Sequence, residues 1–146
     1  MPRLSHVRYF AYGSNIVPAQ MRSRCPGARL LGTAWLDHYR FMINRLGVAT
    51  VVPATHSTVY GVLWEITAAH EQALDEYEAV AEGWYYKARL SVKSAADVAQ
   101  QAMIYLACDR VAGVPLPGYL EAIAAAAEAY GFPATYVRAL YTWLGP

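Results

Sequence analysis

The chain predicts an α+β fold, with strands through about residue 107 and helices after Pro117. Three observations carry that expectation. In Val59–Ile66, residues Tyr60, Val62, Trp64 and Ile66 alternate with Val59, Gly61, Leu63 and Glu65. That is period two with both faces largely apolar, and such a strand belongs in a sheet that is closed or covered. Beyond Pro117 the period changes: Leu120, Ile123, Ala127 and Tyr130 fall on one helical face. Strand and helix signals are segregated rather than alternating, which argues against a βαβ arrangement.

Taken in order, Arg8–Ala11 reads as the first strand, and Pro18–Arg24 as a short helix with proline in its first turn and Pro26-Gly27 closing it. Arg29–Asn44, carrying Trp35, Tyr39 and Phe41, reads as one bent strand or two, followed by a turn near Gly47. Ala49–Val52 reads as a short strand halted by Pro53. Thr67 suits an N-cap, with Glu71 near the first turn of a helix running to about Glu78. Trp84–Val92 and Gln101–Ala107 read as a hairpin around Ser94–Asp97, with Tyr86, Ala88, Leu90 and Val92 on one face and Lys87, Arg89 and Ser91 on the other. Gly131 sits at a helix C-terminus, and Pro133 opens a last helix that packs Tyr136, Leu140 and Trp143 inward. No repeat, linker or low-complexity stretch interrupts residues 1–146, so one domain is expected.

Of the 146 residues, 56% are hydrophobic and 16% charged, which excludes a disordered chain. A net charge of +1 without blocks of like charge gives no footprint for nucleic acid or an anionic membrane. Arg3, Arg8, Arg22, Arg24 and Arg29 are scattered singly and read as solvated surface cations. No apolar run approaches the roughly 18–20 residues of a membrane span, and Met1–His6 lacks the apolar segment of a secretory leader. Two distant cysteines, Cys25 and Cys108, make no disulfide framework, and a reducing, cytoplasmic setting is expected. His6, His38, His56 and His70 are isolated from one another and from cysteine, so no metal site is expected; phosphate-loop and dinucleotide fingerprints are absent as well.

Two stretches carry chemistry. Tyr9-Phe10-Ala11-Tyr12-Gly13-Ser14-Asn15 runs from apolar strand into a tight turn before Pro18. Gly13 permits a sharp turn or a close backbone approach, and the N–H groups ahead of the helix can face an anion. An ordinary strand-to-helix turn has the same composition. Ser14 lacks the Gly-x-Ser-x-Gly elbow of a serine nucleophile. The second stretch is Leu74-Asp75-Glu76-Tyr77-Glu78-Ala79-Val80. At helical spacing Glu78 shares the face of Leu74, so its carboxylate is either half-buried, with a raised pKa suited to accepting a proton, or turned out to water at the helix end. Asp75 and Glu76 point elsewhere and read as solvated.

These stretches together resemble the γ-glutamylcyclotransferase-like family. The matching pieces are Tyr12–Asn15 after a strand, Gly47–Pro53, Val59–Ile66, Leu74–Glu78 and Pro117–Leu120, in the family's order and spanning nearly the whole chain. Two positions depart from its pattern: Ala79 stands where glycine usually follows the glutamate, and Ile16 where leucine usually follows the asparagine. The resemblance implies a small mixed β-barrel flanked by helices, with Tyr12, Gly13, Ser14, Asn15 and Glu78 facing one pocket and Tyr105 and Tyr119 as pocket tyrosines. It also implies a cofactor-independent, metal-free reaction on a small γ-glutamyl amine or amino acid. The substrate's α-amine attacks its own γ-carbonyl, releasing 5-oxoproline and an amine, with Glu78 as general base. A free amino acid, an ε-lysyl amine and a carrier-protein-bound aminoacyl chain are all compatible leaving groups. The reading from another class is a catalytically silent fold relative that binds a small metabolite or a protein partner.

Overall fold

The computed structural model describes residues 6–146; Arg3 and all but the last residue of the segment read for a leader lie outside the described residues. The strands are β1 (His6–Ala11), β2 (Arg29–Ile43), β3 (Ala49–Thr67), β4 (Tyr85–Ser94) and β5 (Val98–Ala107). The helices are α1 (Pro18–Arg24), α2 (Ala68–Tyr77), α3 (Tyr119–Ala129) and α4 (Ala134–Tyr141). The α+β class and the order of elements agree with the sequence reading.

The sheet closes on itself as the expected β-barrel does, but unevenly. The strands form one five-stranded mixed sheet in the ring order β1-β3-β2-β4-β5. Its ladders are far from even. The β3 strand pairs antiparallel with β1 from His6↔Thr67 to Ala11↔Val62 and with β2 along most of its length. By contrast, β2 meets β4 only at Ala34↔Ser94 and Trp35↔Lys93, and β1 meets β5 in parallel only at Tyr9↔Met103. Closure therefore runs through two thin seams, and the barrel wall is irregular.

Pro53 does not end a strand as expected: β3 continues through it to Thr67. The register jumps there from Asp37↔Thr58 to Tyr39↔Pro53, so the missing N–H of proline falls beside a bulge, where the ladder is already interrupted. His38 and His56 take positive φ at this bulge. On β4 the expected faces hold at Ala88, Leu90 and Val92, but at its start Tyr85 is buried and Tyr86 is exposed.

One buried apolar cluster draws on every strand and on all four helices, through residues such as Phe10, Met21, Val62, Leu74, Ile104, Leu120 and Leu140. The C-terminal helices cover β3 through an aromatic group in which Tyr60 meets Tyr136 edge-on at 5.1 Å between ring centres. Thr67 caps α2 as expected, accepting from the His70 N–H at 3.2 Å, while His70 Nδ1 accepts from the Thr67 N–H at 3.2 Å.

Gly61 lies where the end of β1 is pressed against β3. A side chain there would collide with the Ala11 carbonyl oxygen and the Phe10 ring. Gly61→Ala should destabilise the protein by ~2–3 kcal/mol through overpacking, read as a lowered urea midpoint with an unchanged slope.

Candidate active site

A cavity of about 270 Å³ opens where the end of β1, the start of β3 and the end of α2 converge. All seven residues expected at one pocket line it: Glu78, Tyr12, Gly13, Ser14, Asn15, Tyr105 and Tyr119.

The loop after β1 is built on paired strands. From Ala11 the chain turns through Gly13 into a short 3-10 turn, Ser14–Ile16, which closes with Ile16 N–H on the Gly13 carbonyl at 3.1 Å. Gly13 comes close to the opposite wall: a Cβ there would stand 3.3 Å from the Ala49 Cβ and 3.4 Å from the Tyr119 hydroxyl. Asn15 is buried and carries structural duties. Its carbonyl accepts from the Trp64 indole N–H at 3.0 Å, and its amide donates to the Tyr9 hydroxyl at 2.9 Å.

The glutamate is placed by the way α2 ends. Glu78 caps the helix, its N–H bonded to the Leu74 carbonyl at 2.8 Å. The chain then reverses in a Schellman motif, with Ala79 N–H on the Glu76 carbonyl at 3.1 Å and Val80 N–H on the Asp75 carbonyl at 3.0 Å. The pivot of this motif needs positive φ, and Ala79 adopts φ 51°. The same motif ends α3 with Gly131 as its pivot, at φ 77°. The departure from glycine at position 79 therefore leaves the turn in place at a conformational cost to alanine.

The carboxyl group of Glu78 is half-buried against aromatic rings. Burial raises its pKa from the ordinary 4.5 to about 7, and the Arg24 guanidinium offsets only part of that rise. Around it stand buried hydroxyls. The Tyr12 hydroxyl donates to the Tyr105 carbonyl at 2.5 Å, and the Tyr85 hydroxyl donates to the Ala49 carbonyl at 2.7 Å. The Ala49 N–H in turn donates to the Tyr119 hydroxyl at 3.0 Å, leaving the Tyr119 proton free to face the cavity. Burial drives the pKa of each of these tyrosines upward, so they remain neutral donors near pH 7.

Some surroundings went unforeseen. Tyr105 donates to Asp75 at 2.6 Å, and Asp75 also meets Lys87 at 2.9 Å, so Asp75 is engaged rather than solvated. Arg24 is half-buried and bonded to the loop, in contrast to the solvated surface cation expected of it. Tyr85 also lines the cavity; its signal was a tyrosine on the otherwise polar Lys87–Arg89 face of β4. Tyr77 and Trp84, both about half exposed, stand at the mouth. Among the described residues no group of three or more His, Cys, Asp or Glu side chains is placed to hold a metal ion, and no helix is long and apolar enough to cross a membrane.

Comparison with known proteins follows the same lines. Residues 58–140 match the model of the AIG2-like family. The γ-glutamylcyclotransferase of Homo sapiens is 27% identical over 142 residues, covering 90% of this chain and 76% of its own. A solved γ-glutamyl cyclotransferase superposes with a TM-score of 0.87 at 26% identity, covering 94% of this chain and 87% of that one. A Bacillus subtilis protein shares the fold at a TM-score of 0.81 and 22% identity, with 96% of this chain and 54% of its own covered.

Two stability measurements follow from this geometry. Ala79→Gly should stabilise the protein by ~0.5–1 kcal/mol by relieving the left-handed alanine, seen as a higher Tm. For Glu78, the folded protein keeps a proton that the unfolded chain gives up above pH 4.5, so stability falls as pH rises from there to about 7. Glu78→Gln should abolish that fall and be ~1–3 kcal/mol more stable than wild type at pH 8, the gap closing near pH 4.5 in urea titrations at both pH values.

Proposed function

This chain belongs to the AIG2-like, γ-glutamylcyclotransferase family, and we propose that it is a γ-glutamyl cyclotransferase with Glu78 as its general base. The observation that carries this reading is a half-buried carboxylate with a pKa of about 7, facing the Gly13–Asn15 loop across a cavity of small-molecule size.

A γ-glutamyl compound would enter with its α-amine as the ammonium. Glu78 takes one proton, and the neutral amine attacks the γ-carbonyl carbon to close a five-membered ring. The developing oxyanion, or the substrate's α-carboxylate, meets the backbone N–H groups of Gly13, Ser14 and Asn15, with the free proton of Tyr119 close by. Glu78 then passes its proton to the departing nitrogen as the carbon–nitrogen bond breaks. The ring nitrogen loses a second proton by the same route. The products are 5-oxoproline, whose ring nitrogen keeps one hydrogen, and the leaving amine as its ammonium ion. Holding amine and carbonyl together in the folded-back shape supplies much of the acceleration, because the reaction is intramolecular. A small-molecule substrate and a cytoplasmic setting belong to the same reading.

A carboxylate base with a pKa near 7 makes kcat/KM rise with pH through an acid limb near pH 7 and level off above it. The test is mass-spectrometric detection of 5-oxoproline from a panel of γ-glutamyl amines and amino acids, for wild type and Glu78→Gln across that pH range. Product from wild type, with a loss of at least ~10²-fold in Glu78→Gln, is the expected result. Undiminished turnover in Glu78→Gln would remove the base assignment. No product from any substrate would favour a metabolite-binding role.

A further inference from the structure

Arg24 is the last residue of α1, and its guanidinium points back toward the cavity wall instead of out to solvent. One nitrogen donates to the Ser14 hydroxyl at 3.0 Å and to the Asn15 side-chain oxygen; the other donates to the Tyr77 hydroxyl. The guanidinium carbon lies 3.4 Å from the centre of the Tyr77 ring. One planar, permanently charged group thus spans two segments that are remote in sequence: the loop carrying the N–H donors and the helix end carrying the base. The fork geometry of arginine suits this, since a lysine ammonium lacks the planar set of donors that would hold hydroxyl, amide oxygen and ring together. Neither the family comparison nor the chemistry above assigns this residue a role.

We propose that Arg24 is a positioning residue, a clamp that fastens the Ser14–Asn15 corner to the Tyr77–Glu78 corner and presents a fixed positive charge to the base. The proposal rests on the cyclotransferase reading. Electrostatics support it alongside geometry. The ionisable groups that act with Glu78 are Tyr9 from β1, Tyr12 from the loop after it, Tyr85 from β4, Tyr119 from the start of α3 and Arg24 itself. Tyr105 faces the same cavity from β5, and the adjacent Tyr77 lies beneath the guanidinium. Burial keeps Tyr9, Tyr12, Tyr85, Tyr105 and Tyr119 neutral, so the guanidinium is the charge that offsets the desolvation of Glu78. Without it, less of the carboxylate would be ionised at neutral pH, and the loop would lose its tie to the helix end.

The test follows the Glu78 carboxyl resonance by NMR with isotopically labelled glutamate, in wild type, Arg24→Met and Arg24→Lys. The signal is assigned by its disappearance in Glu78→Gln. Arg24→Met should raise the titration midpoint by at least ~0.5 pH unit, and Arg24→Lys, which keeps the charge, by less than half as much. The acid limb of kcat/KM should move with the midpoint, and kcat/KM should fall about 10- to 100-fold in Arg24→Met through misplacement of the loop. Lysine should restore the midpoint but only part of the rate, because it lacks the fork. An unmoved midpoint in folded Arg24→Met overturns the proposal even if activity falls, since a purely structural role predicts that pattern. Failure of the cyclotransferase reading has a different signature, namely turnover that survives Glu78→Gln or is absent in wild type, and the titration does not depend on turnover.

Discussion

The site depends on one strand. β3 pairs with β1 on one side and β2 on the other, reaches the cavity at Ala49 and supports the loop that lines it. Near its far end the Trp64 indole holds the Asn15 carbonyl. At its first residue, Ala49, the backbone N–H and carbonyl engage the Tyr119 and Tyr85 hydroxyls. The β1 chain is drawn close enough at Gly61 to exclude any side chain there. Hydrogen-bonded register thus sets the distance between the N–H-bearing loop and the aromatic wall, with little left to flexible side chains.

Against that rigid frame the carboxylate sits in an unfavourable place. Glu78 is put into aromatic surroundings by a helix terminus, and the turn behind it is held by an alanine in a left-handed conformation. Both features cost stability, the first by desolvating a charge and the second by backbone strain. Such costs concentrate where chemistry requires a group poised between its charged and neutral forms. The Schellman hydrogen bonds, the packing of Val80 against the core and the Arg24 contacts together hold a corner that neither residue favours on its own.

The surrounding tyrosines contribute in a complementary way. Tyr12 and Tyr85 spend their protons on backbone carbonyls, and Asn15 is committed to Tyr9 and Arg24. The groups that can face a ligand include the Glu78 carboxyl, the N–H groups of the loop and the hydroxyls of Ser14, Tyr77 and Tyr119.

The sequence by itself determined the element order, the cap at Thr67, the α1 helix, the C-terminal helices and the two stretches that meet at the cavity. These are local properties, written in periodicity, capping residues and turn chemistry within a few positions of each residue concerned. The motif resemblance also named Tyr105 and Tyr119, which line this cavity. Tertiary structure decided the rest. The sheet curls with two thin seams because strand twist and register emerge only when hairpins meet. Pro53 stays inside β3 because it borders a bulge in β3 itself, where the ladder to β2 is already interrupted. Whether Glu78 turns to water or to the core was open in the helical pattern, and packing around Leu74 and the cavity settled it. Arg24, Asp75 and Tyr85 were not legible as site residues, because their partners lie on other elements and come together only through the fold.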